Sequence, residues 1–430
     1  MDIISYALSK KHTDEALKNN ISEEESLATG ISKQQPEKSK IHRILTGDDT
    51  GLNVSGGTLT YDDEYKKMGS KGLKFTSTGA TTGSIIKHLD EHEKVDNYHS
   101  IGMWIYIEDV TKTNNLFVRI RDEDGNENVY SKGIIPDAEY QFKNGWNLIR
   151  WRAYNSSYNL QFGRVVWIRV MPIMTDVTTV IVGGLWLESF EKAKLLFIHD
   201  GGYSEFFQED GRGYEDLKAR GIPLTIATIP KKIGDPENDR QISKSKLYEL
   251  SLENNNEVSI HSYDGEDAIA TMTESELREE SYNAISLLQS WGYNPMWRSA
   301  WFRNNAPSAM GSTGLFHAFS FHNAAGFSNQ ERIEGFPFQN MYNVPRIQVH
   351  KRTNEVIDSH FDILKSTRGV FVGYTHNVVD DSSGDIDEVD WDYFLSKVDE
   401  GISEGWLEGT TFKMLMQPYL DGLGTEITKI

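Results

Sequence analysis

The pattern of apolar and polar positions divides the chain into three textures. From Met1 to about Asp49 apolar residues are too sparse for a core, and polar runs such as Ser22-Glu23-Glu24-Glu25-Ser26 dominate. Ile4, Leu8 and Leu17 predict a short helix over Ile3–Leu17. Two readings of this segment stand open, a tail without a core of its own and an attachment or oligomerisation arm. Over residues 50–190 the period is two. Short strands are predicted at Leu73–Thr76, Gly102–Ile107, Leu116–Ile120, Trp146–Trp151, Val165–Val170 and Thr179–Val182, separated by turn signals such as Asp124-Gly125-Asn126 and Lys143-Asn144-Gly145. Regular short strands of this kind predict a two-sheet β-sandwich.

Over residues 191–430 strand and helix patterns alternate. Leu195–His199, Ile222–Ile229, Glu257–His261 and Val370–Tyr374 read as strands. Tyr214–Arg220, Leu247–Leu252 and Asp392–Glu404 read as helices, and Thr273-Glu274-Ser275-Glu276 is a capping box opening another that carries Leu277, Ala284, Leu288 and Trp291. Repeated β–α units predict parallel strands in an open or distorted barrel. The whole is therefore expected to be a multidomain α+β protein: an N-terminal arm over residues 1–49, a sandwich over 50–190 and an α/β domain over 191–430.

Composition narrows the functions. The 430 residues carry a net charge of −20, which disfavours nucleic acid and anionic polymers and leaves a neutral glycan as an easier partner. Without cysteine, disulfides and thiolate metal sites are excluded, so any metal must sit on His, Asp or Glu. No apolar run approaches the ~20 residues that span a bilayer, and the start Met1–Tyr6 has neither a basic nor an apolar region of a secretory signal. No P-loop, dinucleotide fingerprint or Gly-x-Ser-x-Gly elbow is present.

Candidate chemistry lies at predicted strand ends, where an ionisable group is costly unless solvated, paired or metal-bound: His199-Asp200, His261 and His376. In order along the chain stand Phe197-Ile198-His199-Asp200-Gly201, His261-Ser262-Tyr263-Asp264-Gly265, Arg298-Ser299-Ala300-Trp301 and Phe371–His376. This ordered set, over about Leu195–Phe412, resembles the polysaccharide deacetylases (carbohydrate esterase family 4-like), whose domain is a distorted (β/α) barrel. The resemblance implies a metal-dependent hydrolase of amide bonds acting on N-acetylated cell-surface or cell-wall glycans. Asp200 and His261 would be ligands of a divalent metal, most simply zinc. His376 would be the acid, Arg298 would orient the site, and Trp301 at the third motif's aromatic position would bind substrate.

Four positions depart from the family pattern. His199 stands for the general base, Gly265 for the second histidine ligand, Ala300 for a proline, and Phe321-His322-Asn323 falls where an Asp-bearing motif belongs. Asp264 or Asp267 is a substitute ligand, with Asp264 preferred. His199 is open to three readings: base, third ligand, or packing residue. An inactive deacetylase fold that binds glycan is the alternative to the hydrolase.

The sandwich is similar to jelly-roll modules that often bind carbohydrate, with Tyr154, Tyr158 and Trp186 as examples of rings that could stack on sugars. Ile4–Glu15 looks like the N-terminal segments of tail-fibre and baseplate proteins in phages of Gram-positive bacteria. That likeness implies a virion component acting outside the host cell, with other tail proteins as partners and a homo-oligomeric, trimeric assembly.

Overall fold

The computed structural model describes residues 40–133, 142–152, 164–208, 212–233, 235, 240–265, 272–293, 295, 297–303, 319–325, 333–336, 344–350, 352–378 and 386–415. Residues 297–303 and 319–325 are described by their backbone course alone. The expected helix at Ile3–Leu17, Tyr154, Tyr158 and Asp267 lie outside the described residues.

Twelve described strands form the first unit. They are β1 (Lys40–Leu45), β2 (Asn53–Ser55), β3 (Gly57–Asp62), β4 (Gly72–Ser77), β5 (Thr81–Thr82) and β6 (Ser84–His88), then β7 (Ser100–Ile107), β8 (Thr113–Asp122), β9 (Glu127–Gly133), β10 (Gly145–Arg152), β11 (Val165–Met174) and β12 (Thr179–Ser189). One antiparallel sheet runs β10-β7-β12-β4-β3 with β1 also on β12, and the other runs β2-β6-β11-β8-β9 with β5 on β11. Ile101, Met103, Ile105 and Ile107 of one sheet share a core with Leu116, Val118, Ile120, Ile168 and Val170 of the other, as period-two alternation requires. The first strand, Lys40–Leu45, pairs with β12 and so lies inside the stretch that was expected to be an arm.

The second unit is a parallel sheet wrapped by helices. Its strands are β13 (Ala193–Gly201), β14 (Leu224–Thr228), β15 (Glu257–Ile260), β16 (Trp297–Arg303), β17 (Phe319–Ala325), β18 (Val344–Pro345), β19 (Ile347–Gln348), β20 (Val370–Thr375) and β21 (Leu407–Gly409). The hydrogen-bonded order is β18-β17-β16-β15-β14-β13-β20-β19, all parallel, with β21 also on β13. β18 and β19 are separated by Arg346 alone, so one broken stave joins the two ends of that order and the strands run round in a ring.

Five helices are described: α1 (Tyr214–Ala219), α2 (Lys244–Leu252), α3 (Glu274–Ser290), α4 (Asn354–Thr367) and α5 (Glu388–Ser403). Thr273 caps α3 with the reciprocal Glu276 bonds that the sequence pattern predicts. Gly221, at φ +67°, follows α1 in the left-handed conformation a helix end favours. Leu195, Phe197, Ile226 and Phe371 pack outward with Leu247, Leu364, Trp391 and Phe394 of the helices. The alternate positions Leu196, Ile198, Ala227, Val370, Val372 and Tyr374 make a separate cluster on the opposite face. No described helix is long and apolar enough to cross a membrane.

Candidate functional site

Strand alternation decides which way each motif residue faces. His199 has the parity of Phe197 and turns toward the helical layer, where its ring lies 4.5 Å from that of Phe206 and 4.8 Å from that of Phe207. It is fully buried, and neither ring nitrogen has a hydrogen-bond partner of good geometry. Burial, helped by the charge of His376, pushes its pKa down to about 3. Of the three readings of His199, packing is the one this geometry fits. A group that binds its proton so weakly is a poor base near neutrality.

Asp200 has the parity of Ile198 and points to the other face. Its Oδ2 accepts a hydrogen bond from Arg346 Nη1 at 2.5 Å, and both side chains are buried. Burial raises the carboxyl pKa, but the Arg346 charge, the two histidines His261 and His376 and the Arg346 hydrogen bond together outweigh it and hold the group down at about 2. The Arg346 guanidinium lies 3.9 Å from the centre of the Tyr374 ring. His261, just past β15, brings Nδ1 to 3.9 Å from Asp200 Oδ1. His376, just past β20, stacks edgewise on Tyr203 at 5.8 Å and lies 6.2 Å from His350, ring centre to ring centre. Asp200, His261 and His376 therefore gather at the same end of the parallel strands.

The remaining expected residues do not complete a metal site. Asp264 faces Lys231 Nζ at 3.7 Å. Gly265 has φ +77°, a backbone conformation that favours glycine and strains a histidine ligand at this position. Arg298 and Trp301 lie on β16 and His322 on β17, where the backbone course alone is described. Among the described residues, no group of three His, Asp or Glu is placed to hold a metal ion. The described donors thus do not by themselves fit the divalent metal that the resemblance implies.

Arg346 escaped the sequence reading. Its one signal is a lone arginine inside the short run Val344-Pro345-Arg346-Ile347-Gln348-Val349, an expensive place for a charge that lacks a partner.

A second site lies on the sandwich. On β7, Trp104 and Tyr106 alternate with core residues and face away from them, and Trp146 and Leu148 of β10 stand directly opposite Tyr106 and Trp104. The Trp146 ring meets Tyr106 at 5.7 Å and Trp104 at 6.4 Å, both edge to face, and Tyr65 lies 4.6 Å from Tyr106. Lys67 Nζ lies over Trp104 and Trp146 at 5.1 and 5.3 Å. A bulge at Gly183 in β12 makes room: a Cβ there would strike the Trp146 ring at 2.6 Å. All four aromatic rings are partly open to solvent, and Leu148 is exposed. Trp186, by contrast, is buried, its ring lying over Gly102 and its Nε1 donating to Glu188 Oε1 at 2.6 Å, so it is no platform for a sugar.

No family model matches the chain, and no curated protein matches it. Among solved structures, TmCBM61 in complex with beta-1,4-galactotriose is similar at 14% identity over 32% of this chain and 88% of that one, with a TM-score of 0.24. A point mutant of a carbohydrate binding module family 29 is similar at 9% identity over 35% of this chain and 92% of its own, TM-score 0.24. The enzymatically active domain of bacteriophage CBA120 tailspike protein 4 is similar at 14% identity over 32% of this chain and 19% of its own, TM-score 0.23. Superpositions this loose fix neither fold nor ligand.

Proposed function

We propose that this protein is a glycan-binding component of a phage tail, reading neutral or N-acetylated sugars of a bacterial surface through its sandwich. One observation carries the reading: Trp104, Tyr106 and Trp146 form a partly open aromatic platform edged by Lys67 on the face of the sheet turned from the core. Pyranose rings present apolar C–H faces to such rings, while an ammonium donates to their hydroxyls. The tail setting, with further tail proteins and copies of this chain as partners, is supported by the likeness of Ile4–Glu15. Calorimetric titration with oligosaccharides from a Gram-positive cell wall tests the binding. W104A and W146A are each expected to weaken it roughly tenfold or more. Equal affinity in both variants would remove the platform from the reading.

The second reading is the deacetylase. It is favoured by the convergence of Asp200, His261 and His376 at one end of a ring of parallel strands. It stands second because the described donors do not make a metal site. Release of acetate from N-acetylglucosamine polymers, lost in H376A, would raise it to first.

A further inference from the structure

The carboxylate that the resemblance makes a metal ligand already has a cation beside it. Arg346 Nη1 and Asp200 Oδ2 are 2.5 Å apart, and each side chain is about as buried as the core around it. Two buried charges in contact persist only when they pair with each other or with further polar groups.

The backbone explains how the arginine comes to be there. The ring of parallel strands closes through β18 and β19, two residues each, and Arg346 is the single residue between them where the ladder breaks. Its guanidinium carbon sits over Tyr374, 3.9 Å from the ring centre, and Tyr374 belongs to the strand that β19 joins. The tyrosine hydroxyl in turn donates to Gln348 Oε1 of β19 at 3.3 Å. The arginine is therefore held by the same stave that closes the ring, on the face that carries Asp200.

A divalent ion bound to Asp200 would share that carboxylate with a guanidinium, in a place sheltered from water where like charges repel strongly. It would also need a third protein donor, and among the described residues no group of three His, Asp or Glu is placed to supply one. We infer that Arg346 stands in for the divalent cation. It neutralises Asp200, ties the broken stave to β13, and leaves the cluster at the strand ends charge-balanced without a metal ion. This inference is independent of whether the sandwich binds glycan.

The test uses the full chain and zinc chloride. After dialysis against zinc and then metal-free buffer, the unaltered protein is expected to retain far less than one zinc per chain, with a Tm that EDTA does not move. R346M, which strands a buried carboxylate, is expected to melt roughly 10 °C lower. D200N/R346M, which removes both charges, is expected to recover most of that loss in the absence of metal. If R346M fails to fold and the double variant folds, the inference is supported equally. Close to one zinc per chain in the unaltered protein, abolished by D200N, would overturn it. A double variant that melts no higher than R346M, or fails to fold as it does, would overturn it too.

Discussion

Among the buried histidines, His99 and His199 have their pKa pushed down by burial to about 3. Their folded-state values lie below the unfolded value of about 6.5, so the unfolded chain takes up more protons as pH falls. Stability is therefore fully present near neutrality and is lost progressively below about pH 6.5. The loss is about 2 kcal/mol per histidine between pH 7 and pH 5. Urea denaturation at the two pH values measures it, and H199L should remove about half of the difference. Asp200 adds a second, more acidic phase: its carboxyl, held at about 2, contributes stability that disappears as pH falls from about 4 through 2. The motif residues themselves were legible in the sequence because ionisable groups at strand ends are conspicuous. What they face was only half legible. The alternation that makes Phe197 a core residue also commits His199 to the same side, whereas the partner of Asp200 comes from a residue far along the chain that no local pattern ties to it.

Among elements, those with a counted period or a cap were readable. The start of α3 was fixed by Thr273 and Glu276 before any tertiary contact, and the capping bonds are present in the fold. T273A should cost about 1 kcal/mol, visible as a lower denaturation midpoint with unchanged slope. β18 and β19 were not readable, since two-residue strands hold too few positions for a period to show. The aromatic platform was likewise hidden: the strands β7 and β10 were predicted, but which of their aromatics stay open depends on the bulge at Gly183 and the loop whose Met68 N–H donates to Gly183 O at 2.7 Å. Gly102 shows the same dependence on a neighbour. A Cβ there would sit 2.1 Å from the Trp186 ring, so G102A should cost about 1–3 kcal/mol and lower the Tm.

Across the whole molecule, sandwich and ring meet at a seam centred on His99. Phe336 N–H donates to His99 Nδ1 at 3.1 Å, Phe190 packs on both rings, and a Cβ on Gly335 would lie 2.4 Å from His99 O. Apolar rings and a buried hydrogen bond at such a seam couple the two units. G335L, which cannot fit, is expected to split one calorimetric transition into two, with the sandwich melting nearly as before. A single undivided transition at the original Tm would show that the close approach at Gly335 is not what couples them.

The broken stave has a further meaning in time. β13, made early, has β14 as one neighbour, but its other neighbour β20 begins some 170 residues later, and the ring is complete only once Val344–Gln348 and Val370–Thr375 exist. On a ribosome, the sandwich has all twelve strands before β13 emerges, while the ring waits with two open strand edges until its last staves arrive. Those edges are unpaired rows of N–H and C=O that invite a neighbouring chain. Synthesis that halts between Ala325 and Val344 should therefore yield a folded sandwich carrying an adhesive remnant, and the vulnerability of this protein lies in the interval before closure more than in the finished fold.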